Sequence, residues 1–405
     1  MEKASVIVIG GGILGTSVAY HLASQGHKDV LLLERRDLAT ASSSQAAGLM
    51  FQVSSKPAVD QLSRRTFNVF PELEAITGEA LDFKSVGTLR LAEGDEHRES
   101  LTNLYTRARE EGLRANKVDE LWRKDHLPWL RTARDALAVF FPDEGYIDPY
   151  RLTSAYAKAA RSYGAKIKTG TSVLSIKQDK GAIVGVDTNE GTILCDKVVV
   201  AGGSWSNQLT MPLGVALPMI PTRSHFWIAA PDKNFSDNQP MLVHADAGAY
   251  TRPEVGGLLL GVQEERSRTF DFRRLPEDIL SFAVTEEGTE WDALIEAESR
   301  VSSFFPGLEN ARFESYMAGL SAYTPDGHFI LGQADPVSGL YVAAGCCGSG
   351  VMASGGIGEA LAEVVITGRS NYDLSAFAPQ RFGAIDPVSE DFQNQCAKAR
   401  ARKSK

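Results

Sequence analysis

The chain has 405 residues, a formal net charge of −9 and a sequence pI near 5.4. Its length suggests about two or three domains or lobes. Basic residues are dispersed apart from a short tail, and this acidic balance gives no general attraction to nucleic acid or to an anionic membrane. We expect the tail to be a solvated or disordered end; it contains Lys398, Arg400, Arg402, Lys403 and Lys405.

The sequence shows no membrane, metal or disulfide pattern. No segment reaches the roughly 20 apolar residues of a membrane helix, and no signal peptide precedes the first strand, so we expect a soluble, cytoplasmic protein. The four cysteines lack CxxC spacing, and two of them are adjacent. Neither a metal site nor a disulfide framework is therefore predicted.

The first predicted elements form a dinucleotide-binding unit. An apolar run at 6–9 leads into Gly10-Gly11-Gly12-Ile13-Leu14-Gly15, a helix is predicted at 16–25, and a second run at 30–33 ends in Glu34. Glycines also occur in turns that bind nothing. Here strand, glycines, helix, strand and acid follow in order, and this order favours the dinucleotide interpretation.

Each residue of that unit has a separate physical task. Gly10 permits the tight turn, Gly12 lets the backbone approach a pyrophosphate, and Gly15 lets the helix pack closely on the sheet. Glu34 suits a ribose hydroxyl and disfavours a 2′-phosphate.

The middle of the chain alternates between loops, helices and short strands. Residues 39–44 form a hydroxyl-rich loop that suits a cofactor, and residues 60–137 are mostly charged helix in which we expect no catalysis. A break at 145–149 precedes a helix at 150–163. The segments 165–168 and 171–176 follow. Strands are predicted at 183–187, 192–195 and 197–201, the last of them apolar on both faces like a central parallel strand.

The last part returns to the first fold pattern. Residues 222–315 indicate an antiparallel sheet with helices, including strands at 224–229 and 257–262 and a charged helix at 286–300. A strand at 339–345, a glycine-rich loop at 346–350 and a helix at 352–367 follow. The dinucleotide-binding domain is therefore predicted to be discontinuous.

Six motifs together carry a family resemblance. They are Gly10 to Gly15, Gln45-Ala46-Ala47-Gly48, Gly145-Tyr146-Ile147-Asp148-Pro149, Ala201-Gly202-Gly203-Ser204-Trp205-Ser206, Thr324-Pro325-Asp326-Gly327-His328 and Gly345 to Gly350. In this order the chain resembles the D-amino-acid oxidase superfamily of FAD-dependent amine oxidoreductases over nearly all of residues 5–370. Through the segment from Tyr250 to Gly257 it is most similar to the sarcosine and dimethylglycine dehydrogenase branch.

The resemblance implies an α/β (α+β) fold and noncovalent FAD. It implies a Rossmann-type FAD-binding domain at 1–85, 142–221 and 316–383, an antiparallel-sheet substrate domain with helices at 86–141 and 222–315, and a polar C-terminal tail at 384–405. Residues expected to contact FAD are Gly10, Gly12, Ile13, Leu14, Gly15, Glu34, Arg35, Ser43, Ser44, Gln45, Ala47, Gly48, Leu49, Val173, Gly202, Gly203, Trp205, Gly348, Gly350, Val351 and Met352.

The implied chemistry is hydride transfer from a carbon beside an amine nitrogen to flavin N5, followed by hydrolysis of the imine. Such a site must mainly position the neutral amine and stabilise charge. Arg252 is the candidate anchor for a substrate carboxylate, with Tyr250 on the same strand face; the alternative for Arg252 is a solvated strand position. His225 and His244 are candidate proton carriers or, equally, structural histidines.

Several positions depart from the pattern of the relatives. Gln45 and Gly319 stand where relatives have a histidine or a cysteine that bonds covalently to flavin, so noncovalent FAD is expected. Leu259 replaces a lysine that promotes the reaction with oxygen in oxidases, which favours a dehydrogenase. Ser321 and Met352 replace two carboxylate anchors. The folate-binding extension of mitochondrial relatives is absent, so an N-methyl product is expected to leave as formaldehyde.

Three functions remain open at this point. The first is oxidation of a secondary or N-methylated amine or amino acid, with a quinone, an electron-transfer protein or oxygen as acceptor. The second is oxidation of a primary or cyclic amino acid or a 2-hydroxy acid, and the third is a non-catalytic flavoprotein that serves assembly. Cys346 and Cys347 are expected to be ordinary small buried residues rather than a vicinal disulfide or a gate beside the ring.

Overall fold

A computed structural model of the chain describes residues 2–277 and 282–402. Lys403 and Lys405 of the predicted basic tail lie outside the described residues. The helices of the described part are α1 (Ile13–Ser24), α2 (Pro57–Thr77), α3 (Asp95–Glu110), α4 (Glu120–His126), α5 (Pro149–Ser162), α6 (Ser206–Thr210), α7 (Asp292–Glu296), α8 (Glu298–Phe304), α9 (Ser354–Thr367) and α10 (Glu390–Ala401).

The strands of the described part assemble into four sheets. They are β1 (Glu2–Lys3), β2 (Val6–Ile9), β3 (Val30–Leu33), β4 (Leu49–Met50), β5 (Thr88–Ala92), β6 (Asn116–Lys117), β7 (Leu137–Phe141), β8 (Gly145–Tyr146), β9 (Lys166–Lys168), β10 (Val173–Asp179), β11 (Ala182–Thr188), β12 (Gly191–Leu194), β13 (Lys197–Val200), β14 (Ile220–Ala229), β15 (Met241–His244), β16 (Ala249–Glu254), β17 (Gly257–Val262), β18 (Phe313–Tyr323), β19 (Ile330–Gln333) and β20 (Leu340–Ala344).

A six-stranded sheet in the order β19-β20-β13-β2-β3-β9 forms the first half of the molecule. Its strands run parallel except for β19. Strands β2, β3 and β20 are apolar and buried along their whole length, as expected for parallel strands that are covered on both faces. This arrangement confirms the predicted α/β fold.

Helix α1 lies between the sheet and two other helices. It contacts both α5 and α9, and its residues 13–23 are all buried. A Cβ atom at Gly358 of α9 would lie 2.2 Å from the Ser17 hydroxyl of α1, so only glycine allows this approach. The close packing holds the N-terminus of α1 firmly at the end of β2.

The second half is an eight-stranded sheet in the order β18-β14-β17-β16-β15-β5-β7-β6. It is antiparallel except for the β15–β5 pair. The prediction of mostly helix at 60–137 is therefore wrong in part, because β5 and β6 join this sheet. Strand β5 has only five residues, and burial of Leu89 and Leu91 against neighbours distant in sequence stabilises it.

The C-terminal segment is also different from its prediction. Helix α10 packs against β14 and β18, and one of its faces buries Phe392, Cys396, Ala397 and Arg400. The described part of the tail is thus a packed helix and not a solvated or disordered end. No helix among the described residues is both long and apolar enough to cross a membrane.

Candidate functional site

A large cavity of about 550 Å³ extends from the end of β2 to the eight-stranded sheet, and we call it the central cavity. It is lined by most of the residues that the sequence predicted for the cofactor. These are Gly10, Gly12, Ile13, Leu14, Glu34, Arg35, Ser43, Gln45, Ala47, Gly48, Leu49, Val173, Gly202, Gly203, Trp205, Gly348, Gly350, Val351 and Met352.

The three glycines to which the sequence assigned separate tasks, Gly10, Gly12 and Gly15, differ in what surrounds them. Gly10 has a φ of +112°, and a Cβ there would lie 2.5 Å from the Ala201 carbonyl oxygen. A Cβ at Gly15 would lie 1.9 Å from the Gly10 carbonyl oxygen, so Gly15 serves helix packing and does not line the cavity. Gly12 lines the cavity, and a Cβ there would meet only the Ser43 hydroxyl, at 3.1 Å. The backbone at Gly12 is therefore open to a ligand.

Polar groups surround this open turn. The Ile13 amide at the N-terminus of α1 donates to the Ser43 hydroxyl at 2.9 Å. The Glu34 carboxylate accepts from the Gly11 amide at 2.6 Å and from the Arg36 amide at 2.9 Å. Because a carboxylate can accept about four hydrogen bonds, Glu34 keeps capacity for a ribose hydroxyl at the cavity wall. A helix N-terminus beside an open glycine backbone suits a pyrophosphate.

Gln45 and Gly319 are neighbours at the other end of the cavity. A Cβ at Gly319 would lie 2.5 Å from Gln45 Oε1 and 2.7 Å from Gln45 Cβ. Gln45 Oε1 is buried and has no hydrogen-bond partner among the described residues. A buried amide oxygen without a partner at a cavity wall fits a site that a ligand completes.

The glycine-rich loop after β20 closes the same end. The Gly348 amide donates to the Ser321 hydroxyl at 3.1 Å, and a Cβ at Gly350 would lie 2.8 Å from Cys346 Sγ. Helix α9 begins at Ser354, two residues later than predicted. Val351 and Met352 therefore belong to the turn before the helix.

No disulfide joins the adjacent cysteines in this structure. Cys347 is buried with a φ of +48°, and its Sγ lies 3.4 Å from the Thr324 hydroxyl. Burial raises the pKa of the Cys347 thiol, so the reactive thiolate is disfavoured. Cys346 lines the cavity.

The wall formed by the eight-stranded sheet includes two of the predicted catalytic residues, Tyr250 and His225. Tyr250 lies opposite Gly261 on β17, where any Cβ would lie 2.1 Å from the tyrosine ring. Burial raises the pKa of Tyr250 although Arg400 and Arg252 oppose it. The phenol therefore stays protonated and can donate a hydrogen bond.

His225 is an uncharged histidine. Its Nδ1 lies 3.3 Å from the Tyr316 hydroxyl, its Nε2 is buried, and the backbone of Val262 lies within hydrogen-bonding reach of the ring. Burial, together with the nearby Arg400 and Arg223 guanidinium groups, lowers the pKa of His225 to about 3. The imidazole is therefore neutral near pH 7.

Besides Gly15, three predicted site residues do not line the cavity, and we correct these predictions. The Arg252 guanidinium donates to the Ala47 carbonyl at 2.7 Å and the Pro253 carbonyl at 2.8 Å, and Glu254 compensates its charge, so it needs no ligand carboxylate. His244 is a structural residue whose ring lies 5.0 Å from that of Phe304. The exposed Ser44 donates to the Ala41 carbonyl at 3.0 Å.

The structure adds wall residues that the sequence did not indicate. Arg90 and His97 line the cavity, although residues 60–137 were expected to carry no catalysis. Ser224, Tyr323 and Arg400 also line it. The only signal for Arg400 was its helical spacing from Phe392 and Cys396.

Known proteins resemble this chain over most of its length. It is 32% identical to 4-methylaminobutanoate oxidase (formaldehyde-forming) of Paenarthrobacter nicotinovorans, with 93% of this chain and 45% of that protein covered. It is 29% identical to the mitochondrial dimethylglycine dehydrogenase of Homo sapiens, with 94% of this chain and 45% of that protein covered. The chain thus spans about half the length of these curated relatives.

Solved structures show the same fold. The L-proline dehydrogenase of P. horikoshii matches with a TM-score of 0.82 at 26% identity, and the match covers 94% of this chain and 98% of that one. The family model described as DAO, FAD dependent oxidoreductase, matches residues 5–364. The resemblance and the cofactor expected from the sequence are thereby confirmed: the chain belongs to the DAO family of FAD-dependent oxidoreductases.

Proposed function

We propose that this protein uses FAD to oxidise the C–N bond of a secondary or N-methylated amine or amino acid. The observation that carries the proposal is the continuity of the central cavity. The cavity joins the open turn at Gly12 to a chamber walled by the neutral His225 and the protonated Tyr250. One ligand can therefore occupy the dinucleotide end while a small substrate occupies the chamber.

The protein's own groups would supply positioning and proton control. Bound flavin supplies a hydride acceptor. In the tautomer whose Nδ1 carries the proton and donates to Tyr316, Nε2 of His225 is an acceptor for an amine N–H. Burial is the main cause of the low pKa of His225, and the same burial disfavours a positive charge on a bound amine, so the chamber favours the amine in its uncharged form. Only the uncharged amine has the nitrogen lone pair that stabilises the cation left by hydride loss.

The names of the relatives support an N-methylated substrate. They include 4-methylaminobutanoate oxidase (formaldehyde-forming), dimethylglycine dehydrogenase and sarcosine dehydrogenase. An N-methyl group that loses a hydride becomes an imine carbon, and addition of water then yields formaldehyde and the demethylated amine. Formaldehyde is accordingly the product that we expect.

A second candidate is a primary or cyclic amino acid. The solved structures favour it, since a glycine oxidase of Geobacillus kaustophilus matches with a TM-score of 0.77 at 25% identity, alongside the L-proline dehydrogenase. The two candidates differ in the substituent on the substrate nitrogen and in the product that is released. One experiment can compare both differences.

The test is an anaerobic substrate panel read from the visible absorption of the oxidised flavin. Each N-methyl amino acid is compared with its unmethylated counterpart, with proline and with a 2-hydroxy acid. We expect N-methyl compounds to bleach the flavin at least tenfold faster and to release one formaldehyde per flavin reduced. Faster bleaching by proline or by primary amino acids would replace the proposal by the second candidate. Absence of bleaching by every compound would favour the non-catalytic alternative.

A further inference from the structure

Helix α10 brings a buried cation to the wall of the central cavity. The side chains of Phe392, Cys396 and Arg400 follow one another at intervals of four along the inward face of the helix. Phe392 and Cys396 pack in the apolar cluster that also contains Leu320 and Tyr323 of β18. This packing anchors the helix, and its last turn then places Arg400 at the cavity, where only 5% of the residue is exposed.

The charge of Arg400 has no carboxylate partner in the part of the chain that the structure describes. Its Nε lies 3.4 Å from the Ser224 hydroxyl, and its guanidinium carbon lies 5.9 Å from the centre of the Tyr323 ring. Neither neighbour carries a negative charge. Arg400 takes part in none of the ion pairs found within the described residues.

Two other arginines of the eight-stranded sheet show the usual solution for a buried cation. Arg90 on β5 pairs with the buried Glu144 at 3.0 Å, and Arg223 on β14 pairs with the buried Glu264. Burying a charge without such a partner costs several kcal/mol. An anion that enters the cavity would remove this cost at Arg400, and a guanidinium binds a carboxylate through two parallel hydrogen bonds.

We infer that Arg400 is the anchor for a substrate carboxylate, and that the substrate is therefore an N-substituted amino acid rather than a simple amine. Ser224 holds the guanidinium through Nε and leaves its terminal nitrogens for the carboxylate. Tyr250 lines the same cavity and can donate from its phenol. This inference rests on the proposed function for the amine, but the carboxylate site itself can be tested without turnover.

The binding experiment uses non-reacting acids and their neutral amides. Propanoate and butanoate are titrated into the holoprotein, with propanamide and butanamide as controls, and binding is read as a change in the flavin spectrum. We expect the acids to bind at least tenfold more tightly than the amides. Arg400→Met should weaken acid binding at least tenfold while the FAD content is retained, and Arg400→Lys should recover part of this loss. The matched control is Lys398→Met at the exposed neighbour Lys398, which should leave the dissociation constants of the acids unchanged.

The outcomes separate this inference from the proposed function. Equal binding of acids and amides by the wild type would overturn the anchor, and this result needs no variant. A change of less than twofold in Arg400→Met would also overturn it. If Arg400→Met did not fold, Arg400→Lys would decide. A smaller preference for acids over amides in Arg400→Lys than in the wild type would support the anchor, and an unchanged preference would refute it. If acids bind but no amine bleaches the flavin, the anchor stands and the proposed function is refuted. If amines without a carboxylate bleach the flavin as fast as amino acids do, the proposed function stands and the anchor is refuted.

Discussion

Gln45 and Gly319 are the residues on which the attachment of the flavin depends. The family resemblance implies that relatives carry a nucleophile at these positions, and the structure places the two residues side by side at the cavity wall. An amide and a glycine cannot form a covalent bond to the ring. We therefore expect acid precipitation of the purified yellow protein to release all of its flavin into the supernatant, measured by absorbance of the soluble and pelleted fractions.

Flavin that stays in the pellet would contradict this expectation. Cys346 would then be the residue to examine, because it lines the same cavity and carries a nucleophilic thiol. Cys346→Ser would then release the flavin on acid precipitation. The matched control is Cys195→Ser at a buried cysteine that directly follows β12. Retention of flavin in both variants would point to another attachment residue.

Single residues were predictable from the sequence where their task depends on near neighbours. Gly10, Gly12 and Gly15 act within one turn and one helix, and the structure gives each of them the surroundings that its predicted task requires. Arg252 was assigned wrongly because strand alternation indicates a face but not the partner that a long side chain meets. The Ala47 carbonyl that binds Arg252 is far away in sequence.

At the scale of elements, helix α1 links the dinucleotide turn to a buried histidine. His21 Nδ1 lies 2.9 Å from the Ser17 carbonyl oxygen, and the ring packs edge-on against Tyr20. Burial lowers the pKa of His21 to about 4 from its ordinary 6.5. The folded protein therefore resists protonation of His21, whereas the unfolded chain accepts a proton as the pH falls below 6.5.

This difference predicts a loss of stability in acid. The contribution of His21 is fully present above pH 6.5, decreases as the pH falls, and is lost at about pH 4. At about 1.4 kcal/mol per pH unit, the free energy of unfolding falls by about 2 kcal/mol between pH 6.5 and 5. His21→Gln should show a smaller decrease in its urea midpoint between pH 7 and 5 than the wild type, with the exposed His126→Gln as control. Equal decreases in wild type and His21→Gln would refute the assignment.

Elements were predictable where they are long or strongly patterned. The buried strands β2, β3 and β20 agree with their predicted positions within a residue or two. Strand β5 and helix α10 were missed because tertiary contacts stabilise them and their local sequence does not stand out. The burial of Arg400 could not be predicted, because the surrounding C-terminal sequence is basic and polar.

For the whole molecule, the electrons taken from an amine must leave through an acceptor. Oxidases of this family carry a lysine where this chain has Leu259, as the resemblance implies. Leu259 is fully buried on β17 and lies opposite Arg252 on β16. The charge of Arg252 is compensated by Glu254. Among the described residues, no uncompensated cation therefore stands at this position to stabilise superoxide when the first electron leaves. Arg400 on the cavity wall is assigned to the substrate carboxylate, which would compensate its charge.

We accordingly predict that oxygen is a poor acceptor. Such electrostatic help is usually a large contribution to catalysis, so turnover with an artificial dye or a quinone should exceed peroxide production by about tenfold or more, which corresponds to about 1.4 kcal/mol of barrier. Leu259→Lys should narrow this gap, and Leu259→Met controls for the change in packing. Because the new lysine would lie beside Arg252 in a buried site, its pKa would be lowered, and the gain in peroxide production should increase as the pH falls. Rapid stoichiometric peroxide formation by the wild type without dye would show that the protein is an oxidase and that another group activates oxygen.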